Sequence, residues 1–221
     1  MTSLPGFFIT FEGIEGGGKT TQIRRVADRL SSMGVDVLVT REPGGDPLAE
    51  SIRRLLLDPA NAPVAPAAEL LLYAAARAQH VARVIRPALE SGRVVLCDRY
   101  SDSTDAYQGG GRGVDPEMLR TLHRLATGDL KPDLTLLFDL DPEEGLARIG
   151  TRGGEKDRME GETLAFHRSV REAFLNAARR EPERFRVIDA RRNVDAVTDV
   201  VWAEVQTALE KWKIGRREAC P

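Results

Sequence analysis

The residues best suited to chemistry lie in a glycine-rich stretch near the start of the chain, residues 13–21. An apolar run precedes this stretch, and a segment with apolar residues at helical spacing follows it. Strand, glycine loop and helix in this order form a phosphate-binding loop, in which backbone N–H groups and the helix N-terminus surround an anion. Lys19 would place a positive charge on the outer phosphates, and the Thr20 hydroxyl would ligate Mg²⁺. The pattern predicts a site for a nucleoside triphosphate. Its residues are Gly13, Ile14, Glu15, Gly16, Gly17, Gly18, Lys19, Thr20 and Thr21.

A second pair of chemical groups follows a short apolar stretch, residues 94–97, which is typical of a buried parallel strand. Asp98 and Arg99 come directly after it, at the strand end where ligands gather in parallel sheets. An aspartate in this position can be the second Mg²⁺ anchor of a phosphate-loop enzyme. The alternative is a local ion pair that caps the next helix. We expect Mg²⁺ to be bound through Thr20 and Asp98.

The elements that must position these groups alternate along the whole chain. Five strands are predicted, at residues 7–11, 35–40, 94–97, 134–139 and 186–189. Helical patterns separate them, so helices must cover both faces of a parallel sheet. The expected fold is α/β with three layers, and the expected organisation is a single domain over residues 1–221.

Two glycine-rich segments interrupt the predicted helices. Residues 107–113 are expected to form a mobile loop. Residues 148–158 combine glycines with arginines, and such a segment can close over a polyphosphate and place guanidinium groups on its oxygens. We expect a lid over about residues 148–160; the alternative is an ordinary solvated charged loop.

Composition narrows the class of protein further. The chain has 221 residues, 42% of them hydrophobic, and a formal net charge of −2. No basic field favours nucleic acid, and no apolar run is long enough to cross a membrane. The two cysteines, Cys97 and Cys220, are not a disulfide framework, which favours the reducing cytoplasm.

Several short motifs in a fixed order make the chain resemble thymidylate kinase. They are the phosphate loop, Arg-Glu-Pro-Gly-Gly at 41–45, Tyr73 with Arg77 four residues later, Asp-Arg-Tyr at 98–100 and Ala-Tyr-Gln-Gly at 106–109. The resemblance extends from Phe7 to about Trp212. It implies a P-loop NTPase fold like that of nucleoside monophosphate kinases, and transfer of the γ-phosphate from ATP·Mg²⁺ to dTMP, giving dTDP and ADP in dTTP biosynthesis. It also implies a cytoplasmic homodimer whose partners are ATP and dTMP, with no nucleic acid or membrane.

The resemblance also assigns the residues that read the acceptor base and sugar. Tyr73 would stack on thymine. Arg77 would donate to thymine O4 and Gln108 would accept from N3–H, with Thr104 nearby; cytosine would leave this buried pairing unsatisfied. Tyr107 would pack under the sugar at C2′, where a ribose hydroxyl would clash.

The same resemblance assigns the charged groups. Arg53 and Arg99 would clamp the dTMP phosphate. Glu12 and Glu42 would orient the acceptor sugar, water and Mg²⁺. The variable positions of the phosphate loop contain no arginine, which is similar to the bacterial branch with its catalytic arginine in the lid. The expected catalytic residues are Lys19, Arg99, Arg152, Arg158 and Glu12, with Arg152 placed before Arg158 as the transition-state arginine and Arg148 as a third candidate.

Two other functions remain open from the sequence. The first is another nucleoside monophosphate kinase or a deoxynucleoside kinase on the same scaffold; the latter would need a base such as Glu12 or Glu42. The second is a nucleotide-binding regulator without catalysis. The acceptor in the favoured reaction is an anionic phosphate oxygen that needs no general base, and the three histidines are interpreted as structural or surface residues.

Overall fold

The sheet consists of five parallel strands in the order β2-β3-β1-β4-β5. The computed structural model describes residues 5–151 and 157–218, with backbone alone for 215–218. The strands are β1 (Phe7–Glu12), β2 (Val37–Arg41), β3 (Val94–Asp98), β4 (Leu134–Asp139) and β5 (Phe185–Asp189). The five-stranded parallel sheet expected from the sequence is therefore confirmed.

Helices connect the strands. They are α1 (Lys19–Ser32), α2 (Pro47–Leu57), α3 (Pro66–His80), α4 (Arg86–Glu90), α5 (Ser101–Thr104), α6 (Pro116–Thr127), α7 (Pro142–Gly150), α8 (Leu164–Arg180) and α9 (Val194–Glu218). Two π-helical segments, Val81–Ile85 and Asp105–Gly111, continue α3 and α5, and a 3₁₀ turn spans Pro59–Asn61. Among the residues described, no helix has the length and apolarity needed to span a membrane.

The core lies on both faces of the sheet because successive side chains of a strand point to opposite sides. From β1, Phe7, Ile9 and Phe11 pack into a large cluster with side chains of α1, α8 and α9. Phe8 belongs to a second cluster, formed with Val81–Ile85 and α4. Helices therefore cover both faces, which gives the expected three layers.

The central strand β1 is the point where the order of the strands reverses. Phe11 is aligned with Asp98 of β3 on one side and with Leu136 of β4 on the other. The connection after β1 leads to β2 on one side of the sheet, and the connection after β3 leads to β4 on the other side. Such diverging connections open a crevice at the carboxyl ends of the strands. The phosphate loop and the segments after β2 and β3 all begin at this crevice.

The first glycine-rich segment, predicted to be a mobile loop, is mostly helical. Residues Asp105–Gly111 form a π-helical turn. Gly110 lies against Ala173 of α8, and Gly111 lies against Phe166, so closely that a Cβ on either glycine would clash. The prediction of a loop was wrong because these glycines allow close packing of two helices, a use that resembles a loop signal in the sequence.

Helix α8 begins at Leu164, beyond the end of the predicted lid. The Thr163 hydroxyl accepts a hydrogen bond from Phe166 N at 3.2 Å and so caps the helix. The carboxylate of Asp157 accepts from the backbone N–H groups of Met159 and Glu160, both at 2.9 Å. The end of the predicted lid is therefore a series of turns, held by a side chain at its start.

Candidate active site

A cavity of about 470 Å³ opens at the carboxyl ends of β1, β2 and β3. It extends from the phosphate loop to α3 and the π-helical segment Asp105–Gly111. Most residues predicted for the site line it: Glu15, Gly16, Gly17, Gly18, Lys19, Thr20, Thr21, Glu42, Arg53, Tyr73, Arg77, Asp98, Arg99, Thr104, Tyr107 and Gln108. The groups predicted for a triphosphate and those predicted for a base thus share one cavity.

The phosphate loop has a backbone conformation that requires glycine. Gly13, Gly16 and Gly18 have φ angles of +130°, +76° and +84°. A Cβ on Gly13 would meet the backbone oxygen of Phe138, and a Cβ on Gly16 would meet that of Gly145. The loop is therefore packed tightly between β4 and α7, and α1 begins directly after it.

Lys19 is buried at the base of this loop. Its ammonium group donates to the backbone oxygens of Gly13 at 2.9 Å and Ile14 at 2.7 Å. Burial lowers the pKa of Lys19 to about 8, and the charge of Arg99 adds to the shift. Because phosphates are anionic, a polyphosphate in the loop would raise this pKa again and keep the lysine charged.

Thr20 and Asp98 place two oxygen atoms side by side. Thr20 Oγ1 donates to Asp98 Oδ2 at 3.0 Å. The described part of the chain contains no group of three or more His, Cys, Asp or Glu residues that could hold a metal. Mg²⁺ is commonly bound by one or two protein oxygens together with phosphates and water, and this pair fits that mode.

Arginines from three elements line the middle of the cavity: Arg41 at the end of β2, Arg53 on α2 and Arg99 after β3. Arg99 has a left-handed backbone, with φ of 70°, and its guanidinium group lies over the ring of Tyr107. Burial lowers the pKa of Arg53, and the neighbouring charge of Arg41 adds to the effect. Grouped guanidinium planes are suited to the oxygens of a phosphate. Sequence reasoning missed Arg41 in this group, although its position at the end of a parallel strand was a signal.

One end of the cavity is lined by the residues predicted to bind the nucleobase, and it is called the base end below. Arg77 is fixed there by three hydrogen bonds. It donates to Glu42 Oε2 at 2.7 Å, to Thr104 Oγ1 at 3.0 Å and to the backbone oxygen of Tyr100 at 3.0 Å. The other oxygen of Glu42 lies 3.0 Å from His80 Nδ1. A guanidinium group has five N–H donors, so two remain for a ligand in a direction that the protein sets. Both oxygens of Glu42 are engaged by protein, so Glu42 positions Arg77.

Glu12 does not line the cavity. It is fully buried and accepts from Tyr100 N at 2.7 Å and from the Ser103 hydroxyl at 2.6 Å. Burial, followed by the charge of Asp102, raises the pKa of Glu12 to about 8. The carboxyl group of Glu12 thus holds the backbone after Asp98 in place, and its catalytic role stays a prediction.

Glu15 is the carboxylate of the phosphate loop that lines the cavity. It accepts hydrogen bonds from Arg99 at 2.9 Å and from the hydroxyl of Tyr107. Burial favours a higher pKa, but Arg99 and then Lys19 outweigh it and hold the pKa of Glu15 below its ordinary value. Glu15, assigned from the sequence to ATP alone, therefore contacts residues assigned to the acceptor.

Two of the three candidate lid arginines lie within the described residues. Arg148 donates to the backbone oxygen of Ala190 at 3.0 Å and to that of Gly16 at 3.4 Å, beside the phosphate loop. Arg152, the first candidate for the transition-state arginine, lies outside the described residues.

Arg158, the second candidate, points away from the phosphate loop. Its Nε donates to the backbone oxygen of Leu56 at 2.7 Å, and its Nη1 forms an ion pair with Glu69. It is not among the residues that line the cavity. Sequence reasoning missed Glu69, although an acidic residue one turn before Tyr73, on an Ala- and Leu-rich helix, was a signal.

Sequence comparison with known proteins finds that the chain is similar to thymidylate kinases. The sequence model of the thymidylate kinase family matches residues 11–201. The thymidylate kinase of Syntrophotalea carbinolica is 55% identical over 208 residues, which are 92% of this chain and 96% of that protein. That of Thermomicrobium roseum is 56% identical over 211 residues, which are 96% and 98% of the two chains.

A solved structure agrees with the sequence comparisons. The crystal structure of thymidylate kinase from Ehrlichia chaffeensis has a TM-score of 0.74 and 37% identity to this chain, covering 91% of this chain and 98% of the other. The expected family and the P-loop NTPase fold are thereby confirmed. The chain belongs to the thymidylate kinase family and is an ATP-dependent nucleoside monophosphate kinase.

Proposed function

We propose that this chain transfers the γ-phosphoryl group of ATP to the phosphate of dTMP, in the presence of Mg²⁺, and so supplies dTDP for dTTP synthesis. The observation that carries the proposal is the single cavity that joins Lys19 and Thr20 to Tyr73, Arg77 and Gln108. Family membership supports the same reaction.

At the donor end, the loop N–H groups and Lys19 would bind the β- and γ-phosphates of ATP. Lys19 would exchange its bonds to Gly13 and Ile14 for bonds to phosphate oxygens, which favour its charged form. Thr20 and Asp98 would hold Mg²⁺, which supplies charge neutralisation when bound.

At the acceptor end, Arg53 and Arg99 would bind the dTMP phosphate. Arg53 is held by a hydrogen bond to the backbone oxygen of Pro43 at 2.9 Å, which aims its planar group. The attacking phosphate oxygen is already anionic, so catalysis depends on alignment and charge rather than on a base. Glu15 orients Arg99 and Tyr107 for this purpose.

At the base end, Tyr73 would stack on thymine, Arg77 would donate to O4 and Gln108 would accept from N3–H, with Thr104 fixing Arg77. Tyr107 would lie under the sugar and exclude a 2′-hydroxyl. The ring of Tyr107 is held by edge contacts with Phe166 and Phe174 of α8, so it cannot move aside easily.

The proposal assigns the transition-state arginine to Arg152 in the lid, residues 148–160, within a single domain over residues 1–221. Arg158 would fix the lid end to α2 and Glu69, and one of its amino groups has no hydrogen-bond partner among the described residues. This amino group is buried and would reach a phosphate only after the lid rearranges, so Arg158 stays the second candidate.

We further propose that the chain acts as a cytoplasmic homodimer. Helix α3 packs beside both α2 and α6, and large apolar side chains on these helices are exposed. They are Leu48, Leu55, Leu71, Met118 and Leu125. Exposed apolar side chains grouped on neighbouring helices are typical of association surfaces. Light scattering on the variant Leu71→Glu tests this surface, and we expect the variant to be a monomer. The cytoplasmic location is supported by the absence of a disulfide framework from the two cysteines of the sequence.

An ADP-release assay with dTMP, dUMP, dCMP, dGMP and thymidine as acceptors tests the function. We expect dTMP to give the highest kcat/KM. A higher value for thymidine or another monophosphate would assign a different kinase activity, and ATP binding without transfer to any acceptor would indicate a regulator.

A further inference from the structure

Glu69 is a fully buried acid on α3, next to the base end of the cavity, and the proposed reaction gives it no task. A buried carboxylate is costly unless its oxygens are hydrogen-bonded. Gln108 Nε2 donates to its Oε1 at 2.9 Å, Arg112 approaches both oxygens at 3.3 Å, and Arg158 pairs with its Oε2. Burial favours a higher pKa, but the hydrogen bonds from Arg112, Gln108 and Arg158 outweigh it, and the net shift lowers the pKa of Glu69. Glu69 is therefore ionised and can only accept hydrogen bonds.

This contact determines which end of the Gln108 amide is left for a ligand. The oxygen and nitrogen of an amide have nearly the same shape, so neighbouring groups decide its orientation. An ionised carboxylate can face only the amide NH₂ group. Because Gln108 lines the cavity, its carbonyl oxygen is the atom that remains for a base.

We propose that Glu69 is a positioning residue that determines base specificity, by holding the Gln108 amide with its oxygen available to the N3–H of thymine. The inference rests on the proposed function. Cytosine has an unprotonated N3, which is itself an acceptor. It would face the carbonyl oxygen of Gln108, and both atoms would be left without a hydrogen bond in a buried site. Glu69 adds this discrimination to that of Arg77 at position 4 of the base.

The substitution Glu69→Gln tests the proposal. A glutamine at this position can offer either its oxygen or its NH₂ group, so the Gln108 amide can turn over. We expect the ratio of kcat/KM for dTMP to kcat/KM for dCMP to fall about tenfold, which is the effect of one unsatisfied buried hydrogen bond. The matched control is Glu162→Gln, which changes another carboxylate bound to Arg112 and should leave the ratio unchanged.

A second pair of variants distinguishes a positioning role of Glu69 from a purely structural one. Gln108→Leu removes the amide, so adding Glu69→Gln to it should change the ratio of kcat/KM values no further. Equal losses of activity on dTMP and dCMP in Glu69→Gln would overturn the inference and make Glu69 a structural residue. A wild-type chain without preference for dTMP would instead contradict the proposed function itself.

If Glu69→Gln does not fold, as judged by circular dichroism, the exchanged pair Glu69→Gln with Gln108→Glu takes its place. The pair keeps one amide donating to one carboxylate and leaves a carboxylate oxygen for N3–H. We expect the exchanged pair to retain the preference for dTMP, and loss of that preference would overturn the inference.

Discussion

The two ends of the cavity hold their polar side chains in different ways. At the donor end, the ammonium group of Lys19 rests on backbone oxygens of its own loop. At the base end, Arg77 and Gln108 are bound by two buried carboxylates, Glu42 and Glu69. Backbone carbonyl oxygens thus hold Lys19 at the donor end, whereas buried carboxylates hold Arg77 and Gln108 at the base end.

The difference separates two tasks within one reaction. A phosphate can replace the carbonyl partners of Lys19, because an ammonium–phosphate contact is stronger than one to a neutral oxygen. At the base end the contacts can persist when a ligand binds, because Arg77 keeps two free N–H donors and Gln108 keeps its oxygen. Under the proposed function, the donor end would stabilise charge, whereas the base end would select the nucleobase through donors and acceptors held in fixed directions.

The largest effect is expected for Arg152→Ala, since a lid arginine acts on charge at the donor end. We expect kcat to fall by about three powers of ten or more, with little change in the KM for ATP. Single-turnover kinetics measure this directly. Arg158→Ala should lower kcat less, because Arg158 is bound to Leu56 and Glu69. Unchanged turnover in Arg152→Ala would transfer the role to Arg158 or Arg148.

The next largest effect is expected for Lys19→Ala. Loss of the buried charge should lower kcat by about a hundredfold to a thousandfold, while the dissociation constant for dTMP changes little. Lys131→Ala, which removes an exposed lysine paired with Glu181, is the matched control and should leave both values unchanged. An equal loss of dTMP affinity would mean that the two ends are not separate.

A smaller and more selective effect is expected for Arg77→Ala. The KM for dTMP should rise about a hundredfold and the preference for dTMP over dCMP should narrow, while the KM for ATP stays the same. Because Glu42 would lose its buried partner, thermal unfolding should be measured with the kinetics. Arg179→Ala, which removes an exposed arginine on α8, is the control. If dTMP affinity and preference both persist, the assignment of base reading is wrong.

The smallest effect is expected for Glu12→Gln and concerns stability. The pKa of Glu12 is raised from 4.5 to about 8 in the folded state, so its contribution to stability is present below pH 4.5 and is lost as the pH rises toward 8. The variant stays neutral, so its free energy of unfolding should decline less over this range than that of the wild type. Urea unfolding at several pH values measures the two slopes, and parallel slopes would contradict the burial of a protonated Glu12.

Local features of the fold were predictable from sequence. The strand at 134–139 was predicted with the bounds observed for β4, because an apolar run carries its signal within a few residues. The glycine spacing of the phosphate loop was informative for the same reason. Whether residues 105–111 form a loop or a packed helix depends on Ala173 and Phe166, which lie far away in sequence.

The contacts that fix the site were less predictable. Hydrogen bonds such as those of Glu69 with Gln108 and of Glu12 with Ser103 join residues on different elements. Helix and strand periodicity in the sequence cannot predict such long-range pairs. The exposure of a carboxylate is also a property of the folded chain. For this reason the sequence did not indicate that Glu12 is fully buried, whereas its neighbour Glu15 lines the cavity.

The packing of Gly110 and Gly111 against α8 has a consequence for redesign of the enzyme. Tyr107, on the same π-helical turn, touches Phe166 and Phe174 of that helix. Altering α8 at its buried face would therefore shift the ring of Tyr107, which we propose lies beneath the acceptor sugar, without changing any residue that lines the cavity. Tolerance of a ribonucleotide could thus be acquired or lost from a distant helix.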